Sequence, residues 1–353
     1  MPSGPYRTAI RQRAARRACA VGAALLAATL ACGAGCESIV EQDALEHYVR
    51  GQVLAEQGNT EAALSELSRA VRVHPGLAVA HTAMGDIHRK RGDFEMARGS
   101  YENACKSDPY AFRPHYNLGV TYQMLAQAAK AFERVEQYLR QAVRVYLRAI
   151  AIEPDDFEAN LNVSACYFQL GQYDMAEYYC LAAIKINSRS PQAHSNLGVI
   201  YDSQDRLYDA IREYKASLEL EIKQPNLLLN LGSTYMRQSR YKTAISTFEV
   251  AAKQDPNLAA AYEQMGACYF QLRYFDKARE AYEKAIALDG GSAAAYRGMG
   301  AAMMGQYVLD HNKVDLRDKA LAAWYRSLEL KPNQRDLIEL LDKYRPKEEK
   351  PQL

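Results

Sequence analysis

Small and apolar residues recur along this chain in a pattern that predicts pairs of short amphipathic helices. Counted from the start of a repeat, apolar residues at the fourth, seventh and eleventh places fall on one stripe of a first helix. A second stripe follows at the twentieth, twenty-fourth and twenty-seventh places. Residues 225–258 show both, with Leu228, Leu231 and Tyr235, then Ala244, Phe248 and Ala251. The phrase that carries the first stripe reads NLGVTYQM at 117–124, NLGVIYDS at 196–203 and NLGSTYMR at 230–237. Asn196 and Asn230 lie 34 residues apart, and a fixed period of this size means stacked supersecondary units. The punctuation agrees. Pro75, Pro109, Pro154, Pro256 and Pro332 fall where second helices should end, because proline cannot continue a helix. Pro191 and Pro225 open first helices, where a first-turn proline is tolerated. Gly58, Gly92 and Gly171 turn the chain within a pair. The small residue of the NLG phrase, as at Gly119, Gly198 and Gly232, should let the paired helix approach closely. That contact offsets the roughly 1 kcal/mol a mid-helix glycine costs.

This order of residues resembles the tetratricopeptide repeat, with its Leu-Gly and Tyr, then Ala, an aromatic and Pro. Residues 78–111 carry His81, Met84-Gly85, His88, Ala97, Tyr101, Ala104 and Pro109. Residues 259–292 carry Tyr262, Met265-Gly266, Tyr269, Ala278, Tyr282 and Ala285, with Gly290 where the proline would be. The resemblance covers about four-fifths of the chain. It implies an all-α fold, a right-handed superhelical solenoid of about eight helix-turn-helix units: 44–77, 78–111, 112–156, 157–190, 191–224, 225–258, 259–292 and 293–334. Two units exceed the period. Eleven extra residues fall near 123–141 without Gly or Pro, close to three helical turns, which predicts lengthened helices rather than a loop. Eight more fall near 305–318, with turn formers at Asp310 and Asn312. Residues 335–345 form an amphipathic capping helix, as a solenoid end requires, and 346–353 read as a disordered tail.

The N-terminus departs from the pattern. Arg7, Arg11, Arg13, Arg16 and Arg17 precede an uncharged stretch from Ala18 to Cys36 whose apolar centre is AVGAALLAATLA. A basic region, a short apolar run and small residues beyond it make a secretory signal over 1–36. The run is barely long enough to span and is rich in alanine and glycine rather than leucine, which disfavours an uncleaved anchor. Cys32 and Cys36 end TLAC and GAGC and resemble the acylated cysteine of a bacterial lipobox, although Thr29 and Gly33 replace the preferred leucine. Residues 37–43 read as a short polar linker.

Charge and composition narrow the functional classes. The net charge is +2, but the first 36 residues hold five arginines and no acid, so the remainder carries −3. Such a body has no electrostatic footprint for nucleic acid. The 25 tyrosines against eight phenylalanines serve the aromatic places of half-buried helices. His47, His81, His115 and His194 share the fourth place of their repeats and His88 takes an eleventh. Side chains one repeat apart stand too far from one another to share a zinc ion, so these read as packing or boundary residues. Cys105, Cys166, Cys180 and Cys268 sit where small apolar residues are expected. Cys166 and Cys180, on opposite helices of one unit, could meet in an oxidising compartment. No phosphate loop, GxSxG, HExxH or paired CxxC occurs. The sequence therefore predicts no enzyme, no metal and no cofactor.

In tetratricopeptide proteins the first helices line a concave face at the second, fifth, ninth and twelfth places, with the sixth beside them. The resemblance places there Tyr116, Val120, Leu161, Phe168, Val199, Leu229, Met236 and Phe270. At the sixth place stand Asn117, Asn162, Asn196, Asn230 and Gln264. It implies a peptide-binding groove in which each amide offers donors and acceptors to a bound backbone. The expected role is a protein-binding scaffold or assembly factor of the bacterial cell envelope, lipid-anchored to a membrane. The alternative is a regulatory or targeting subunit that recruits an envelope enzyme.

Overall fold

A computed structural model describes the backbone of residues 35–345 and the side chains of residues 40–345. The described residues are helical throughout, joined by short turns, with no strand. They divide into two compact units, the first ending at Gln172 and the second beginning at Tyr173. The array expected over 44–334 is thus parted inside its fourth repeat. That repeat is also the one in which Ser164 holds the glycine place and Cys180 the aromatic place.

The first compact unit contains α1 (Gly35–Glu56), α2 (Thr60–Val73), α3 (Ala78–Arg91), α4 (Phe94–Ser107), α5 (Phe112–Ala128), α6 (Phe132–Ile152) and α7 (Phe157–Gln169). Helix α1 begins at Gly35, so residues 37–43 continue the first helix of the first repeat and do not form a separate linker. Helices α1, α3 and α5 each pack on the second helix that follows, and α2, α4 and α6 each pack on the next first helix. Successive first helices α1, α3, α5 and α7 also touch one another, which makes them the inner layer of this stack.

The second compact unit contains α8 (Tyr173–Ile186), α9 (Pro191–Ser203), α10 (Leu207–Leu220), α11 (Pro225–Arg237), α12 (Tyr241–Gln254), α13 (Ala259–Gln271), α14 (Phe275–Leu288), α15 (Ala293–Leu309), α16 (Val314–Leu330) and α17 (Arg335–Tyr344). It repeats the same packing, with α9, α11, α13 and α15 as its inner layer. Helix α17 lays Leu337 and Leu341 against Met303, Met304, Leu321 and Trp324. Burying a side chain such as Leu337 there stabilises the end of the stack by about 2 kcal/mol.

One contact sets the spacing within most of the hairpins. A Cβ added to Gly119 would lie 2.5 Å from the ring of Tyr146, and one added to Gly198 would lie 2.5 Å from that of Tyr214. Gly85 faces Tyr101 at 2.6 Å in the same way. The aromatic ring of the second helix therefore lies flat on the backbone of the first, in space only glycine leaves open. Fully buried Tyr101, Tyr146, Tyr214, Phe248 and Trp324 fill that place along the chain. The turn between paired helices is equally regular. Gly58, Gly92 and Gly171 adopt φ of 72° to 84°, and Asp205, Ser239 and Arg273 hold the same place at 58° to 61° without being glycine.

The extra residues enter helices. Helices α5 and α6 run 17 and 21 residues, against 13 and 14 in an unmodified pair such as α11 and α12. All eleven are absorbed without lengthening the turn, since the apolar stripe stays in phase over three turns. Helices α15 and α16 are each 17 residues long, around a turn in which Asp310 accepts from the Asn312 amide at 3.1 Å.

Candidate interaction site

The inner layers are held together by polar contacts between neighbouring first helices. In the first compact unit Asp86 of α3 is the centre of such a contact. Its Oδ1 accepts from Tyr101 Oη at 2.7 Å and from Asn117 Nδ2 at 3.0 Å, and its Oδ2 from Arg113 at 2.8 Å. Burial, together with the hydrogen bond to Asp86, pushes the Tyr101 phenol above its ordinary range. One repeat on, Asn162 Nδ2 donates to Tyr116 Oη at 3.3 Å. Asn117 is 7% exposed and Leu161 2% exposed. Both belong to the packed interior of this unit and leave the expected groove, because their side chains meet protein instead of solvent. Tyr116, Val120, Asn162 and Phe168 remain half-buried.

The second compact unit braces its inner layer with other residues. Asp202 of α9 accepts from Thr234 at 2.8 Å and from Arg237 at 2.7 Å, both on α11. Ser292, which caps α15, donates to Glu263 of α13 at 2.6 Å. The sixth-place amides take no part. Among the described residues, Asn196, Asn230 and Gln264 make no side-chain hydrogen bond; Asn230 is exposed and the other two half-buried. They stand on the consecutive first helices α9, α11 and α13. Val199, Leu229, Met236 and Phe270 flank them, all half-buried. This unit thus presents a row of unengaged amides beside an apolar margin.

The histidines have structural work. His81 Nε2 lies 3.0 Å from the Pro75 carbonyl, His115 Nε2 3.1 Å from that of Pro109 and His194 Nε2 3.2 Å from that of Ser188. Asn160, at the same place of its own repeat, donates to Pro154 O at 3.0 Å. A polar fourth-place side chain therefore satisfies the loop carbonyl six residues upstream, which the turn leaves without a helical partner. His47 and His194 also face Glu66 and Glu213 at 2.7 and 2.8 Å. The hydrogen bond from His47 holds the Glu66 carboxyl below its usual value. Sequence reasoning missed this role, although three histidines and Asn160 six residues after a loop carbonyl were there to be read.

Nothing in the described residues resembles a catalytic or metal site. They contain no group of three or more His, Cys, Asp or Glu able to hold a metal ion. Burial pushes the Cys166 and Cys268 thiols up to about 12, far from a reactive thiolate. Cys180 donates to the Ala193 carbonyl at 3.4 Å. None of the described helices is long and apolar enough to cross a membrane. Cys32 lies outside the described residues, as do the signal segment up to residue 34 and the tail 346–353. Cys36 falls in the first turn of α1, among the residues whose side chains are not described.

The model of the cilia and flagella-associated protein 70 C-terminal domain matches residues 15–304. The chain belongs to this family. Its fold is shared with the C-terminal part of a tetratricopeptide repeat-containing protein from Cytophaga hutchinsonii, at 18% identity and a TM-score of 0.59, over 72% of this chain and 97% of that one. A tetratricopeptide repeat protein from Parabacteroides merdae is similar at 17% identity and a TM-score of 0.51, over 74% and 99%. The family member described here thus has the all-α tetratricopeptide fold, built from helix hairpins with a terminal helix.

Proposed function

We propose that this chain is a protein-binding scaffold that holds an extended segment of a partner along the inner helices of its second compact unit. The observation that carries the reading is the row of Asn196, Asn230 and Gln264, whose side chains make no hydrogen bond among the described residues. An extended peptide exposes an N–H and a C=O at every residue, and each carboxamide can meet both. Val199, Leu229, Met236 and Phe270 beside the row are placed to receive alternate side chains. Partners captured by the full-length chain should be lost when Asn196, Asn230 and Gln264 are all changed to alanine, and kept when Asn117 is. Full retention by the triple variant would remove the amide row as the binding device.

The setting belongs to the same proposal. The basic N-terminus, its apolar run and Cys32 or Cys36 support an exported, lipid-anchored assembly factor of the cell envelope. Acylation of either cysteine is checked by labelled fatty acid, with Cys32→Ala and Cys36→Ala compared against the parent. A parent chain that takes up no label ends the lipoprotein reading. The family match favours a second setting, because it runs through residues 15–36. There the segment stays in the mature protein and the chain serves a cilium- or flagellum-associated assembly. N-terminal sequencing of the mature protein separates the two.

A further inference from the structure

A cleft of about 420 Å³ opens at the turn edge of the second compact unit, between the turn of the seventh repeat and the lengthened helix α15. Arg273, Tyr274, Phe275 and Lys277 line one side, and Leu309 and Lys313 the other. Three of these residues are cations, and none of them is ion-paired among the described residues. Elsewhere in this unit Arg237, Arg279, Arg317 and Lys319 each hold a carboxylate. The Lys277 ammonium lies 5.8 Å from the centre of the Tyr269 ring and 5.9 Å from that of Tyr274. These contacts position the charge without neutralising it. The one carboxylate in the lining, Asp276, accepts from Gln306 Nε2. The cleft therefore keeps a formal excess of positive charge.

Arg273 is itself the turn residue. It sits at φ 59°, at the place taken by glycine in three other repeats and by Asp205 and Ser239 in two more. A left-handed conformation costs a non-glycine residue about 1 kcal/mol or more. The chain accepts that cost here and places a guanidinium at the mouth of the cleft. The apolar lining identifies the occupant further. Tyr274 is 48% and Leu309 69% exposed. A small inorganic anion would engage the cations but leave both uncovered.

We propose that this cleft is a second docking site, for an acidic segment of a partner protein that presents a carboxylate beside an apolar side chain. The carboxylate meets Arg273, Lys277 and Lys313, and the apolar side chain covers Tyr274 and Leu309. The volume suits one or two side chains. The charges make the contact weaken as salt rises.

The test is fluorescence anisotropy of the full chain with fluorescein-labelled hexapeptides that alternate glutamate with leucine or phenylalanine. The same peptides with glutamine for glutamate serve as one control and inorganic phosphate as a competitor. Saturable binding to the parent chain is expected, and the glutamine peptides should bind about tenfold more weakly or worse. The double variant Arg273→Gly, Lys313→Gln should also lose about tenfold in affinity. Its melting temperature should not fall, because glycine relieves the strained φ, so a loss of binding cannot be a loss of fold. The Asn196, Asn230 and Gln264 alanine variant should bind these peptides normally, which separates this site from the inner groove. The proposal is overturned if the parent shows no saturable binding, or if the glutamine peptides or the double variant bind as well as their references. Complete displacement by millimolar phosphate overturns it too, in favour of a free-anion site.

Discussion

Asn117 and Asn230 occupy the same place of the same repeat pattern, on first helices of the two compact units, yet they are different groups physically. Asn117 is buried and its amide donates to Asp86 at 3.0 Å. Asn230 is exposed, with no side-chain partner among the described residues. What differs is the preceding repeat. Its ninth place holds Asp86 before Asn117 and Val199 before Asn230. A carboxylate there draws the amide into the packing, whereas an aliphatic side chain leaves it facing outward. A repeated residue therefore acquires its role from a neighbour 31 residues away, and a ladder that looks continuous in the sequence is available in one region and consumed in the other.

The comparison can be pressed with substitutions in both regions. Gly119→Ala and Gly198→Ala should have the largest effect and the same effect, because each new methyl meets a buried tyrosine ring at 2.5 Å. A loss of about 3 kcal/mol in each is expected from urea unfolding. A large difference between them would show that the two compact units are not built on one packing rule. Next in size, Asn117→Ala should cost about 1.5–2 kcal/mol, since it removes a hydrogen bond between a buried amide and a half-buried carboxylate. Asn230→Ala should change stability by less than about 0.5 kcal/mol. Equal losses at Asn117 and Asn230 would contradict the division into a structural and an available amide.

Much of the fold was legible in the residues. The 34-residue period, Pro191 and Pro225 at first-helix starts, and the Gly58, Gly92 and Gly171 turns are local signals, and each lies where the pattern put it. The lengthened α5 and α6 also followed from a stretch without Gly or Pro. The candidate site was legible only in part. Leu161 counted as a groove residue by its place in the repeat, but at 2% exposure it is core. Asn162 counted as a free amide, but it bonds to Tyr116. The cleft at Arg273 left no linear signal, since its cations come from two turns 40 residues apart.

Local chemistry thus determined by itself that this chain forms paired helices, where most of them begin and end, and which residues face a helix partner. These follow from hydrogen-bond geometry and side-chain periodicity within a few residues. Only the tertiary structure decided which of the recurring amides are engaged, where the chain divides, and which charges stand unpaired around a cleft. Those properties depend on groups brought together from separate repeats, and hydrogen bonds and ion pairs change a side chain's availability only when both partners are in place.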